Sequence, residues 1–170
     1  YDFFWEFFRD FDLANRAVRI NRFDPHVTAV IHYNVDEKNV PWTKTTRKNF
    51  TMAFIAGAMT GADVIREENR MHLIRLLITD QLDRSEKLAA ETVQAFATNL
   101  KVPVARPEDA KYLYQNCLRT PSAGVFCRNL VLCRKINSPL VYGESLYQDN
   151  EAECVDLMRC NVSVYGLITS

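Results

Sequence analysis

The chain has 170 residues, of which 48% are apolar and 25% are charged, the balance of one ordinary globular domain rather than of a disordered segment. Its 21 Lys and Arg residues are matched by 21 Asp and Glu residues, so the formal net charge is zero. Nucleic-acid binding and a polybasic membrane anchor both depend on a basic excess, and this balance argues against both functions.

The longest uncharged runs fall short of the roughly 20 residues that a membrane-spanning helix needs, so any membrane contact is expected to be peripheral. The chain begins at Tyr1 instead of Met, which predicts a trimmed product whose targeting segment would be out of view. We expect a single domain over 1–170, in which 1–23 form a docking arm and 120–170 form a cysteine-containing mixed segment.

Residues 2–22 have the periodicity of an amphipathic helix. Apolar side chains recur at spacings of three and four along one face: Phe4, Phe7, Phe8, Phe11, Ala14 and Val18. A stripe so rich in aromatic rings has to be covered. We expect it to dock on the chain's own core, the usual fate of such a stripe, or to insert into a partner's groove or a membrane interface. The acidic residues interspersed with it argue against the membrane.

Residues 27–35 alternate apolar and polar side chains, which predicts a β-strand. One strand needs a mate, and the alternating tail at 162–169 is the candidate. Most other patterns are helical. The predicted fold class is therefore mainly α, an antiparallel core of about five helices with a minor two-stranded β element that pairs 27–35 with 162–169.

The longest helical pattern runs over 47–83 and contains no proline. Gly57 and Gly61 have the Gly-x-x-x-Gly spacing that lets a second backbone approach closely, and with Phe54 they form a predicted partner-binding face. Two acids and two bases then follow at helical steps and form a predicted polar belt. Either the helix bends near Gly61, or the belt is an internally paired polar layer that faces another subunit or a cleft. The belt consists of Asp63, Arg66, Glu67 and Arg70.

Further helices are predicted over 86–100, 107–118 and 151–160, the last with Asn150 as its cap. Residues 125–136 are ambiguous between a short helix and a strand. Residues 138–148 are predicted to be a loop with a brief extended piece.

The five cysteines lie in the last third of the chain: Cys117, Cys127, Cys133, Cys154 and Cys160. An odd number allows at most two disulfides with one free thiol, or five reduced thiols. Cys117 and Cys127 have the nine-residue separation of coiled-coil-helix proteins of the mitochondrial intermembrane space, but no second such pair follows. Buried, reduced thiols are the simpler interpretation.

No linear signature of catalysis or cofactor binding is present. The cysteines and histidines lack zinc-ligand spacing. Glu68 and His72 do not have the Glu-x-x-His spacing of di-iron sites. His26 and His32 would fall on the same side of one strand, which does not by itself make a metal site. There is neither a nucleophile elbow nor a glycine-rich phosphate loop. We therefore assign no catalytic residue, metal or cofactor, and the sequence argues more against an enzyme than for one.

Three functions fit these features. The first is a structural or accessory subunit that binds other protein subunits through its aromatic N-terminal helix and glycine-paired central helix, for example at the periphery of an organellar, mitochondrial membrane complex. The second is a small helical enzyme or ligand-binding domain that uses the polar belt. The third is a secreted interaction domain stabilised by disulfides. The sequence favours the first because no recognisable chemistry accompanies the predicted interaction surfaces.

Overall fold

The structure is a computed structural model that describes residues 7–39 and 43–159, and it is an α/β fold built on a five-stranded mixed sheet. The strands are β1 Thr28–Asn34, β2 Met52–Ile55, β3 Cys117–Arg119, β4 Val125–Arg128 and β5 Leu140–Tyr147. The α-helices are α1 Leu13–Phe23, α2 Glu67–Ile78, α3 Gln81–Leu100, α4 Lys111–Gln115, α5 Val131–Lys135 and α6 Glu151–Arg159. A π-helical turn, Phe7–Asp12, leads into α1, and 3-10 turns occupy Asp63–Ile65 and Pro107–Asp109.

The strand order is β1-β5-β2-β4-β3. β1 and β5 run parallel, as do β2 and β4, whereas β2 is antiparallel to β5 and β3 is antiparallel to β4. β5 thus lies between β1 and β2, although their sequences are far apart. All but one of its residues are buried, because both of its faces are covered.

Each strand alternates its side chains between two faces, and both faces are covered over the central strands. The first, which we call the α1 face, carries Met52, Phe54, Phe126 and Leu140 and packs against α1, α4 and α5. The second, the α3 face, carries Ala53, Ile55, Val125 and Val141 and packs against Ala89 and Val93 of α3.

The prediction of a mainly α fold is wrong. Its central helix over 47–83 is divided into β2, a turn and α2. β2, Met52–Ile55, is apolar and buried on both faces, and such a run lacks the alternation that marks a one-sided strand. Gly57, at a φ of +124°, then turns the chain out of β2, a backbone conformation that only glycine adopts easily.

The predicted strand at 27–35 is confirmed, but its predicted partner is wrong. β1 pairs with β5 in parallel, with Thr28 opposite Leu140 and His32 opposite Glu144. The β5 segment is a strand where the sequence predicts a loop. The tail at 162–169, the expected mate, lies outside the described residues.

Several helices are confirmed. α3 covers the predicted 86–100, and α6 begins where Asn150 accepts hydrogen bonds through Oδ1 from the amides of Ala152 (3.0 Å) and Glu153 (3.3 Å). Residues 125–136 contain both β4 and α5, so each alternative holds for one half. No helix in the described ranges is long and apolar enough to cross a membrane.

Candidate active site

A carboxyl–imidazole pair joins the two parallel strands β1 and β5. His32 Nδ1 lies 3.2 Å from Oε2 of Glu144. The Glu144 side chain is only 8% exposed, whereas the His32 side chain is 55% exposed. The arrangement therefore holds a buried carboxyl group behind an imidazole that reaches solvent.

The strand register creates this pair. His32 and Glu144 are direct neighbours across the β1–β5 ladder, so their side chains emerge on the same face of the sheet. Met52 is opposite Glu144 on the other side, which places the pair on the α1 face. Ser145 donates a hydrogen bond from Oγ to the His32 carbonyl (3.2 Å), and Thr51 donates one from Oγ1 to the Glu144 carbonyl (3.4 Å). These bonds add to the ladder that fixes the backbone on both sides of the pair.

Burial raises the pKa of the Glu144 carboxyl, because the charged form loses hydration in the sheet. The positive charge and hydrogen bond of His32, and more weakly the charge of Arg128, act in the opposite direction without cancelling the effect of burial. A carboxyl group with a raised pKa next to an exposed imidazole is suited to accept and return protons.

Two tyrosines lie near the pair on the α1 face. The Tyr142 ring lies 5.6 Å from the His32 ring, and burial raises the Tyr142 pKa to about 12, so that its hydroxyl stays protonated. Tyr112 accepts a hydrogen bond from Asn34 Nδ2 (2.7 Å) and lies with its hydroxyl 3.6 Å from the Met52 sulfur. A tyrosine ring thus lies beside His32, and a second tyrosine lies close by on the same face.

The described cysteines form no disulfide, which favours the interpretation as reduced thiols. Cys117, Cys127, Cys133 and Cys154 are free thiols. Leu118 is the partner of Cys127 in the β3–β4 ladder, so Cys117 and Cys127 point to opposite faces of the sheet and cannot reach each other. Cys160 lies outside the described residues.

The predicted partner-binding residues are not brought together. Phe54 is fully buried in the core, and Gly57 follows β2. Gly61 lies in an open turn, where an added Cβ atom would meet no other atom within 4 Å. The glycine-paired helix face does not exist in this fold.

The aromatic stripe of the N-terminal helix is turned outward in its described part. Phe7 is 51% exposed, Phe11 60% and Val18 46%. The residues that face the core are Leu13, Ala17 and Ile20, spaced by four and three. Phe4 lies outside the described residues, and the side chain of Phe8 is not described. Contact between the exposed stripe and protein partners stays a prediction.

The polar belt lies away from the carboxyl–imidazole pair. Asp63 accepts hydrogen bonds from the amide (2.8 Å) and hydroxyl (2.7 Å) of Thr60, and these bonds lower its pKa. Arg70 donates to the carbonyls of Val64 and Ile65, while Arg66 and Glu67 are exposed at the start of α2. None of the four belt residues hydrogen-bonds to His32 or Glu144.

Sequence reasoning missed the site. It placed His32 on the correct strand but saw no partner, and it assigned Glu144 to a loop. The signal available was the run LVYGESLY between Pro139 and Asp149, whose length and flanks fit a strand buried on both faces. Glu144 is the one charged residue of that run. Among the described residues, no group of three or more His, Cys, Asp or Glu side chains is arranged to hold a metal ion.

No family model and no curated protein matches this sequence. Solved structures do match. N-acetylmuramoyl-L-alanine amidase from Clostridium difficile 630 is 16% identical, with a TM-score of 0.51, over 86% of this chain and 54% of that chain. The catalytic domain of CwlV, N-acetylmuramoyl-L-alanine amidase from Bacillus (Paenibacillus) polymyxa var. colistinus, is 15% identical, with a TM-score of 0.44, over 85% and 53% of the two chains. Cwp6 from Clostridium difficile is 13% identical, with a TM-score of 0.39, over 85% and 17%.

The chain thus spans about half the length of the two amidase structures that it resembles. At this identity the similarity establishes a shared α/β fold. It corrects the hypothesis of a helical structural or accessory subunit, because the architecture is α/β and is shared with an amidase. The organellar, multi-subunit membrane complex is corrected with it, since the helical fold on which that setting depended is absent.

Proposed function

We propose that this chain carries the acid–base pair of a hydrolase that cleaves an amide bond, of the type that joins an N-acetylmuramoyl group to L-alanine. The observation that carries this proposal is the hydrogen bond between the buried Glu144 and the exposed His32. The fold shared with an amidase supports this choice of substrate class. Fold alone does not determine function, so the proposal depends on the chemistry of the pair.

Glu144 acts as the base. Its pKa is higher than that of an ordinary Glu, so its carboxylate is a stronger base. A stronger base removes a proton from water more readily. The water oxygen attacks the amide carbonyl carbon while its proton moves to Glu144. When the tetrahedral intermediate collapses, the carbon–nitrogen bond breaks and Glu144 returns the proton to the leaving nitrogen.

His32 holds and polarises the reacting groups. Its Nδ1 keeps the Glu144 carboxylate in one orientation, and its Nε2 makes no hydrogen bond within the described part of the chain. In its protonated form the ring donates from both nitrogens, so Nε2 is available to stabilise the negative charge that develops on the amide oxygen.

The test is release of L-alanine from N-acetylmuramoyl-L-alanine. Glu144→Gln keeps the shape of the side chain but removes the base, and we expect kcat to fall by about 10²- to 10⁴-fold. Glu151→Gln, an exposed carboxyl on α6, is the matched control and should leave kcat unchanged.

The pH profile separates catalysis from loss of fold. A base works only when deprotonated, so activity rises with pH through the Glu144 pKa, above the range of an ordinary Glu at about 4.3. Because His32 lowers the Glu144 pKa, His32→Gln should move this acidic limb to higher pH. A wild-type chain that releases no L-alanine, or a Glu144→Gln variant with wild-type kcat, refutes the proposal.

A further inference from the structure

Arg128 is held between two aromatic rings at the end of β4. Its guanidinium carbon lies 5.0 Å from the centre of the Phe54 ring and 4.8 Å from the centre of the Tyr112 ring. Phe54 is fully buried, and Tyr112 is anchored by its hydrogen bond from Asn34. The two rings therefore limit the positions open to the guanidinium, with attraction of the cation–π type.

The charge of Arg128 forms no direct ion pair with any residue that the structure describes, although it acts at longer range on Glu144. Its side chain is half-buried, yet no described residue accepts a hydrogen bond from it or forms an ion pair with it, and none of its nitrogens is enclosed. Arg75 differs, because it donates to the carbonyls of Arg134 (2.8 Å) and Ile136 (3.2 Å). A partly desolvated charge is normally paired, since burial without a partner costs free energy. Arg128 instead presents its donors to solvent.

The guanidinium shares the α1 face with the carboxyl–imidazole pair. Phe54, beneath it, is opposite Tyr142 on β5, and Met52, which the Tyr112 hydroxyl contacts, is opposite Glu144. The charge of Arg128 is close enough to act on the pKa of Glu144. The guanidinium and the carboxyl–imidazole pair therefore lie on the same side of the sheet, within range of each other's charge.

We propose that Arg128 binds a carboxylate of the substrate on the amino-acid side of the scissile amide bond. This inference rests on the proposed hydrolase function and deepens it: the substrate class becomes an N-acylated amino acid or peptide with a free carboxylate. The planar fork of a guanidinium matches the two oxygens of a carboxylate, and such charge-assisted pairs are stronger and more directional than neutral ones. Held by two rings, the fork loses little conformational entropy on binding.

The test is binding, which is independent of turnover. N-acetyl-L-alanine and its neutral analogue N-acetyl-L-alaninamide are titrated into the isotopically labelled protein, and dissociation constants are taken from NMR shift changes. We expect the carboxylate to bind at least about tenfold more tightly than the amide, and Arg128→Gln to weaken its binding by about 10- to 100-fold. Arg128→Lys keeps the charge without the fork and should fall between them.

Arg119→Gln is the matched control, because Arg119 is an exposed arginine on the same face of neighbouring β3 and should not affect binding. Thermal melts of Arg128→Gln and Arg128→Lys check that both fold. Equal binding of the carboxylate by Arg128→Gln and wild type overturns the inference, as does equal binding of acid and amide. Inorganic phosphate that binds more tightly than N-acetyl-L-alanine overturns the assignment to a carboxylate. If binding depends on Arg128 but no L-alanine is released, the proposed hydrolase activity is refuted and the carboxylate site is retained.

Discussion

Gly124 lies in the turn between β3 and β4 and has a φ of +73°. A Cβ atom there would lie 2.4 Å from Val104 Cγ1 and 2.9 Å from Val93 Cγ1. Gly124→Ala therefore combines a left-handed backbone with an overlap in the core, and we expect it to lower the free energy of unfolding by about 3 kcal/mol. Urea denaturation followed by circular dichroism measures the change.

Gly61 is the control position for Gly124. Its φ is not positive, and a Cβ atom there would meet nothing within 4 Å. Gly61→Ala should change the free energy of unfolding by no more than about 0.5 kcal/mol, in the stabilising direction because the unfolded chain becomes less flexible. The sequence predicted a packing role for Gly61 from its spacing to Gly57. A large loss of stability in Gly61→Ala would show that the predicted close contact exists.

At the scale of elements, Arg75 connects α2 to the segment that leads into β5. It donates to Gln81 Oε1 (2.9 Å) and to the carbonyls of Arg134 (2.8 Å) and Ile136 (3.2 Å). Arg75→Met retains most of the apolar stem but removes these three hydrogen bonds, and only the Ile136 carbonyl keeps another donor, Gln81 Nε2 (2.9 Å), so we expect a loss of about 2–3 kcal/mol in the free energy of unfolding. Arg66→Met, at an exposed site with no side-chain hydrogen bond to the described residues, should be close to neutral. If Arg75→Met and Arg66→Met change the free energy of unfolding equally in denaturant titrations, Arg75 does not link α2 to β5.

The elements that the sequence predicted correctly are those with local signals. α6 has a capping Asn and acidic residues in its first turn, and β1 alternates in polarity. β2 and β5 lack such a signal, because a strand covered on both faces carries no alternation. The apolar run of β2 differs little from that of a buried helix, whereas Gly143, Glu144 and Ser145 give the centre of β5 the composition of a loop.

At the scale of the whole molecule, the site depends on a contact that no local pattern contains. His32 and Glu144 are 112 positions apart in the sequence and become neighbours only because β5 inserts between β1 and β2. Predicting the pair required the order of the sheet, and the order required β5 to be identified first. The error at 138–148 therefore removed the candidate site together with the correct fold class.

Cys133 provides a measure of how cooperatively the whole molecule opens. It is 1% exposed, and burial raises its pKa to about 12, so the reactive thiolate is strongly disfavoured while the core is closed. In native buffer its labelling by a thiol reagent should be roughly a thousandfold or more slower than that of the half-buried Cys154, since stabilities of small domains give open fractions of that order or less. Mass spectrometry of the labelled peptides measures both rates.

The Gly124→Ala variant tests whether this opening is global. If it is, the labelling rate of Cys133 should rise by about 100-fold in Gly124→Ala, the factor that corresponds to the lost free energy of unfolding. A rate for Cys133 that equals that of Cys154, or that does not change in Gly124→Ala, would show that the α1 face opens locally and independently of the rest of the sheet.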